Sequence, residues 1–348
     1  MKMTNAMQIL GHEVELIVPN RSRDIELGVN NIFDFYNVDP IKIKYMPWFK
    51  FPGILYIYSF MTACYVKFRG VKFVYSRDFY PALFCAFFGI DVIMEFHRKP
   101  IFAKGIKGEI ILKFYKLSNL KGIVVISQAL KDIFVKSGFN EDKIKVAHDA
   151  SDAPLENQTP YPLEGEVKVG YVGHLYKGRG IENIIYLAER NAHLNFHIAG
   201  GTDRDISYWK SKCTDLINLH FHGFIPPSLT DSFRNSCDVL LAPYQKGLTI
   251  WAGGSDTSSF MSPLKIFEYM AAGKVIICSD LPVLREVLND QNALLVTPTQ
   301  MEEWNSALRR AISNKKLANE LSVRAKMDFK KKYSWKARAH EITSLFSL

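Results

Sequence analysis

The sequence predicts an α/β protein of two Rossmann-like, doubly wound domains facing a central cleft. Three observations predict it. Short apolar runs alternate with longer helical stretches through both halves, the pattern of parallel sheets crossed by helices. The alternation is broken by a polar stretch with three prolines between Ser151 and Pro162. The length, 348 residues, suits two domains of ordinary size.

In the first half, strands are expected at Glu13–Val18, Ile41–Tyr45, Lys72–Tyr75, Asp91–Glu95, Gly122–Ile126 and Lys143–Ala147. Helices are expected at Thr4–Leu10, Ile54–Phe68, Tyr80–Phe88, Lys107–Ser118 and Ala129–Ser137. In the second half, strands fall at Val167–Val172, Asn195–Ala199, Leu219–His222, Val239–Ala242, Val275–Ser279 and Ala293–Val296. Helices follow at Ile181–Arg190, Ile206–Cys213, Ser228–Asn235, Pro263–Ala272, Pro282–Leu288 and Thr299–Ser313. The expected division is a first domain over 1–153, a linker over 154–166, a second domain over 167–330, and a last helix over 331–348 that crosses back to the first domain. In doubly wound sheets ligands bind beyond the carboxyl ends of the strands, so the loops there are the places to search.

Composition narrows the class. Apolar residues make up 48% and charged residues 23%, which excludes a disordered chain and a disulfide scaffold. Lys and Arg number 44 against 35 Asp and Glu, a net charge of +9. The excess is uneven: residues 1–150 hold 21 basic and 14 acidic residues, and 151–348 hold 23 and 21. A basic half beside a near-neutral half suggests an anionic partner for the first domain. The five cysteines are scattered without a CxxC pair, so reduced thiols in the cytoplasm are the simple account. No secretory signal opens the chain, and the run Ile54–Val66 is too short to span a bilayer. A soluble or peripheral cytoplasmic protein is expected.

The segment Ser262-Pro263-Leu264-Lys265-Ile266-Phe267-Glu268-Tyr269-Met270-Ala271-Ala272-Gly273-Lys274 is the most informative. Ser262 suits an N-cap and Pro263 the first helical position. The unpaired amides of Leu264 and Lys265 would then offer an anion site fit for a diphosphate. Glu268, a turn further in, could accept two hydroxyl bonds from a ribose. A second segment, Gly170-Tyr171-Val172-Gly173-His174-Leu175-Tyr176-Lys177-Gly178-Arg179-Gly180, follows a strand and opens a helix. Its glycines allow close approach, while Lys177 and Arg179 bring positive charge. Gly200-Gly201 ends the next strand in a similar turn.

Taken together, Gly173-x-Leu-x-Lys-Gly, the Ser262–Lys274 segment, Ser279-Asp280-Leu281-Pro282 with Arg285-Glu286-Val287, and the ending Tyr333-Ser334-Trp335-Lys336-Ala337-Arg338-Ala339 resemble the family 4 glycosyltransferases. That resemblance covers nearly the whole chain. It implies the GT-B fold and transfer of a sugar from a nucleotide-diphosphate sugar with retention of configuration. It gives Gly173, His174, Lys177, Arg179, Gly200, Gly201, Ser262, Pro263, Leu264, Lys265 and Glu268 to the donor, with Lys177 on the diphosphate and Glu268 on the ribose. His174 stands where many members carry Arg. Phe260 stands where the family has the first Glu of its Glu-x7-Glu pair, with Asp256 or the amides near Met261 as substitutes. Arg77, Asp78, Glu95 and His97 fall to the acceptor side, and His97, Lys177 and Glu268 are the expected catalytic residues. The family's opening strand and glycine-rich loop have no counterpart ahead of Thr4–Leu10, so the first strand is expected to be missing.

No cofactor and no bound metal are expected. The expected partners are a nucleotide sugar, a glycan or lipid-linked acceptor, and an anionic membrane surface, but no nucleic acid. The pathway implied is surface polysaccharide or glycolipid assembly. The membrane expectation rests on residues 42–145, with 18 basic and 7 acidic residues, and on Tyr45-Met46-Pro47-Trp48-Phe49-Lys50-Phe51. Two alternatives keep the fold: a nucleotide-binding protein without turnover, and a nucleotide-sugar epimerase. His174, His193, His197, His220 and His222 also read as structural, and His12 and His340 as surface residues.

Overall fold

The computed structural model describes residues 1–21, 31–100, 105–154, 158–176, 178–245 and 259–347. It divides into two compact units, Met1–His148 with Trp335–Leu348, and Asp149–Ser334. The first unit opens with α1 (Lys2–Ile9), β1 (Glu15–Pro19), α2 (Ile32–Tyr36), β2 (Lys42–Met46) and α3 (Ile54–Phe68). It continues with β3 (Phe73–Ser76), α4 (Phe79–Phe87), β4 (Asp91–Phe96), α5 (Gly105–Lys116), β5 (Leu120–Val125), α6 (Gln128–Lys136) and β6 (Ile144–Val146). Among the described residues β1 pairs only with β2, in parallel, while β3-β4-β5-β6 form a separate parallel sheet. Strand β4 is buried along nearly its whole length, as a central parallel strand covered on both faces must be.

The second unit runs β7 (Lys168–Val172), α7 (Ile181–Arg190), β8 (Asn195–Ala199), α8 (Asp203–Lys210), β9 (Leu219–Gly223), α9 (Pro227–Ser236) and β10 (Val239–Ala242). Then come α10 (Leu264–Ala272), β11 (Val275–Ser279), β12 (Leu294–Val296), α11 (Met301–Ser313) and α12 (Lys315–Asp328). Its six parallel strands stand in the order β9-β8-β7-β10-β11-β12. This is the doubly wound order, which reverses between β7 and β10 and opens a crevice beyond their carboxyl ends. Beneath it lies a core that includes Tyr171, Phe196, Leu241, Ile277 and Trp304. The proline-bearing segment before β7 packs on this unit: Thr159 accepts from the Ser232 hydroxyl, and Glu164 accepts from His197 at 3.0 Å.

After a π-helical turn at Phe329–Tyr333, the last helix, α13 (Trp335–Thr343), packs with α1 in the first unit. Ala6 and Met7 of α1 and Ala339 and Ile342 of α13 share a buried cluster with Ile93 of β4 and Val124 of β5.

Several expectations need correction. The helix expected at Pro282–Leu288 is a run of turns, with Leu284 and Arg285 both bonded back to the Leu281 carbonyl. Helix α8 starts three residues early because Thr202 and Asp205 form a capping box. Helices α2 and α12 were not expected; α12 is a strongly charged helix held by few buried residues, Leu321 and Ala325.

Candidate functional site

The crevice of the second unit is built by backbone before side chain. Gly200 sits at φ +109°, where a Cβ would stand 2.3 Å from the Gly173 carbonyl oxygen. Gly180 sits at φ +73°, where a Cβ would stand 1.9 Å from the Pro243 oxygen. Only glycine lets these turns close so tightly. The Gly173 amide donates to Ala199 at 2.9 Å, which ties the ends of β7 and β8 together, and Gly201 lies against Leu175.

Lys265 is the central charge. Its ammonium lies 3.7 Å from the centre of the Tyr171 ring and 5.2 Å from that of Tyr244, and a Cβ at Gly173 would come within 2.9 Å of it. Tyr171 stands one residue before the end of β7 and Tyr244 follows β10, so the lysine marks the switch point of the sheet. Both phenols are buried, which pushes their ionisation up. Burial, and then the nearby Arg179, hold Lys265 well below the usual lysine range. Burial, and then the charges of Arg179 and Lys265, lower His174 as well. Among the described residues no carboxylate is seated on Lys265. Two further basic groups, Arg179 and His174, converge here on a lysine resting on aromatic faces.

Helix α10 opens at the same crevice. Pro263, not Ser262, holds its N-cap position, and no side chain caps it. The Ser262 hydroxyl instead accepts the Asp149 amide at 2.9 Å, so the expected capping role is a correction. Leu264 is exposed, and the helix ends at Gly273 in the left-handed conformation. Glu268, half-buried, accepts from Arg234 Nη1 at 3.1 Å through Oε2. Arg234 is buried and also bonds Asp231. Burial would lower its ionisation, but Glu268 and Asp231 together raise it. Sequence reasoning missed Arg234 because an arginine in a polar helix reads as a surface charge; its neighbour Phe233, fully buried, was the available signal.

Phe260 and Met261 are buried. Lys177 and Asp256 lie outside the described residues. An Asp-x-Asp triplet, a common metal-binding pattern, does occur at Asp203-Arg204-Asp205; there Asp205 accepts the Thr202 amide at 3.0 Å in the capping box.

The first unit carries its own cluster. Pairing of β3 with β4 brings Arg77 beside Glu95 and His97. Arg77 Nη2 lies 3.2 Å from His97 Nδ1, and Arg77 Nε lies 3.4 Å from Glu95 Oε1. A guanidinium only donates, so Nδ1 accepts and the Nε2 proton of His97 points to Glu95, its other partner. Glu95 is buried, and its Oε2 accepts from Arg338 at 2.8 Å. Arg338, buried on α13, also donates to the carbonyls of His148 at 2.8 Å and Ala147 at 3.2 Å. Burial alone would raise Glu95; the bonds from His97 and Arg338 outweigh it and hold the carboxyl low. Asp78 occupies the N-cap position of α4. A cavity of about 110 Å³ is lined by Arg77, Glu95, His97 and Arg98 among others. Arg338 lies in the family-like ending, but its role was not legible there, because its partners lie far away along the chain.

Known proteins share this architecture. The family description "Glycosyl transferases group 1" matches residues 156–328, and "Glycosyltransferase Family 4" matches residues 1–153. An uncharacterized glycosyltransferase of Methanocaldococcus jannaschii is 23% identical over 237 residues, 64% of this chain. The chain spans 57% of that relative's length. A solved glycosyltransferase of Rickettsia africae covers 99% of this chain and 92% of its own, with a TM-score of 0.74 at 14% identity. Anabaena HepE in complex with UDP covers 88% and 86%, with a TM-score of 0.67 at 13% identity. Sucrose-phosphate synthase of Thermosynechococcus elongatus covers 99% and 91%, with a TM-score of 0.66 at 16% identity. At these identities the likenesses show the fold, and that fold is GT-B. With the two family descriptions spanning nearly its whole length, the chain belongs to the group 1 and family 4 glycosyltransferases.

Proposed function

We propose that this chain transfers a sugar from a nucleotide-diphosphate sugar to a glycan or lipid-linked acceptor, with retention of configuration. The setting is surface polysaccharide or glycolipid assembly at the cytoplasmic face of an anionic membrane. One observation carries the reading: the Lys265 ammonium, held below its ordinary range on the rings of Tyr171 and Tyr244, beside the uncapped start of α10. A cation short of water gains most from an incoming diphosphate.

As the bond from the sugar C1 to the phosphate oxygen breaks, negative charge grows on the leaving diphosphate. Lys265, Arg179 and the first amides of α10 stabilise that charge, joined by Lys177 as the family resemblance implies. The acceptor hydroxyl attacks C1 from the face the diphosphate leaves. Its proton passes to the leaving phosphate oxygen, so the C1–acceptor bond forms as the C1–phosphate bond breaks. Glu268, with Oε2 held by Arg234, keeps Oε1 for a ribose hydroxyl. His97, with both ring nitrogens engaged, orders the acceptor side through Arg77 rather than as a free base. The reading invokes no metal step. HepE was solved with UDP and glucose, which supports the same ligand class here.

Phe260 in place of the family carboxylate favours a second reading, nucleotide binding without turnover. Incubation with UDP-, GDP- and ADP-sugars and lipid-linked or glycan acceptors, followed by phosphorus and proton NMR, separates the two. The expected result is release of one nucleoside diphosphate and a product that keeps the donor's anomeric configuration. Binding of a nucleotide sugar with no release from any donor would overturn transfer.

A further inference from the structure

We infer that the outward face of α3 and α4 lies flat in the interface of an anionic bilayer. The inference rests on the membrane-side acceptor of the proposed function, and it locates the contact on the molecule.

Helix α3 exposes Tyr56, Ile57 and Phe60 on one side, and continues through half-buried Met61 and Cys64 to Phe68, which is 91% exposed. These positions follow helical spacing, so they form one stripe. Helix α4 contains no charged residue and turns Tyr80, Phe84, Phe87 and Phe88 outward to different degrees. The two stripes are continuous. Tyr56 meets Tyr80 edge-on at 5.1 Å, and Phe60 meets Phe84 at 6.2 Å and Phe88 at 5.8 Å.

A helix that is apolar inside and outside needs a cover on both sides. The inner side of α3 is covered, with Ile54, Tyr58, Ala63 and Val66 buried. The outer side shows water a band of aromatic rings, which a soluble monomer rarely tolerates. No described helix is long and apolar enough to cross a membrane, so the fit is to a helix pair lying in the interface plane.

Charge selects the kind of bilayer. Residues 42–90 hold seven basic side chains and one acidic one. Lys50, Lys67, Arg69 and Lys72 are exposed at the ends of α3 and the start of β3, so they rim the aromatic band. Lys67 is anchored to the Phe88 carbonyl at 3.0 Å, which places its ammonium at the band's edge. Rings flanked by lysines match headgroup depth and anionic phosphate. The sequence placed this contact at Tyr45–Phe51; the band extends it along the two helices.

The test uses the full chain and vesicles of phosphatidylcholine alone or mixed equally with phosphatidylglycerol. Three proteins are floated: the wild type, Phe60→Ser/Phe87→Ser, and a Phe60→Trp variant whose fluorescence is read against ring-level quenching by brominated lipid. The wild type should partition at least about tenfold more strongly onto the anionic vesicles, as about fivefold per rim charge implies. The double variant should lose about tenfold or more of that binding. Phe60→Trp should be quenched by bromine near the headgroups. Wild type that stays with the aqueous phase on anionic vesicles overturns both the face and the membrane reading. Flotation undiminished in the double variant, with the fluorescence of Phe60→Trp unquenched, overturns the face while leaving a membrane acceptor standing. A wild-type dimer that the double variant abolishes, without lipid binding, assigns the band to a second copy and overturns the lipid.

Discussion

At the ends of β3 and β4, the side chains of Arg77, Glu95, His97 and Arg338 are bonded to one another. At the ends of β7 and β10, the ammonium of Lys265 rests on two phenol rings and sits near two more basic groups. The first cluster satisfies itself and so holds the fold. The second sets Lys265 on aromatic faces beside Arg179 and His174, with no carboxylate on it among the described residues, which suits the anion proposed for it. The difference teaches which charges to read as scaffold and which as a binding site, although both clusters stand at strand ends of parallel sheets.

The comparison breaks most visibly at Arg338. It is buried and bonds Glu95, so Arg338→Met leaves the buried Glu95 Oε2 without its cation. The expected cost is about 3–5 kcal/mol, read as a lower urea midpoint. An unchanged midpoint would mean that the first cluster does not hold the fold.

The second unit also contains a self-satisfied cluster, which sharpens the comparison. His197 on β8 lies 3.1 Å from His222 through Nδ1 and donates through Nε2 to the Glu164 carbonyl, while His220 stacks on it at 4.8 Å. Burial foremost pushes His197 down to about 4, and neighbouring positive charge adds to it. Its folded value lies below the ordinary histidine value. Between the two, the unfolded chain takes up a proton that the folded chain refuses. Stability is therefore full above about pH 6.5 and falls as the pH drops toward 4, by on the order of 2–3 kcal/mol. Urea titrations at pH 7.5 and 5 should show this loss, and His197→Asn should flatten it. A wild type equally stable at both would remove this histidine cluster as a source of acid sensitivity.

Much of the fold was legible because buried parallel strands are short continuous apolar runs. Asn195–Ala199, Val239–Ala242 and Val275–Ser279 end where the structure ends them. Helix α10 was legible from Pro263 and Gly273, which punctuate backbone whatever the tertiary context. Local signals failed where distant partners decide. Ser262 reads as a cap but bonds Asp149, and Pro282–Leu288 has helical spacing but folds into turns over the Leu281 carbonyl. At the site, Lys265 and Glu268 were visible through their motif. The rings under Lys265 and the arginine behind Glu268 come from other strands and helices, so no spacing along the chain announces them.

The most direct test is nucleotide binding by Lys265→Met, measured by calorimetry and thermal shift with UDP, GDP and ADP from pH 7 to 10. The ammonium is held below its ordinary value without a ligand, so the unliganded protein should gain stability as the pH rises through that depressed value toward 10.5. A bound diphosphate should favour the charged form, so binding should take up a proton and weaken at high pH. The account predicts that Lys265→Met keeps or raises the melting temperature, binds the nucleotide about 10- to 100-fold more weakly, and loses that pH dependence. Wild-type affinity in Lys265→Met, or a melting temperature that collapses with it, would contradict the reading of Lys265 as the charge that awaits the donor.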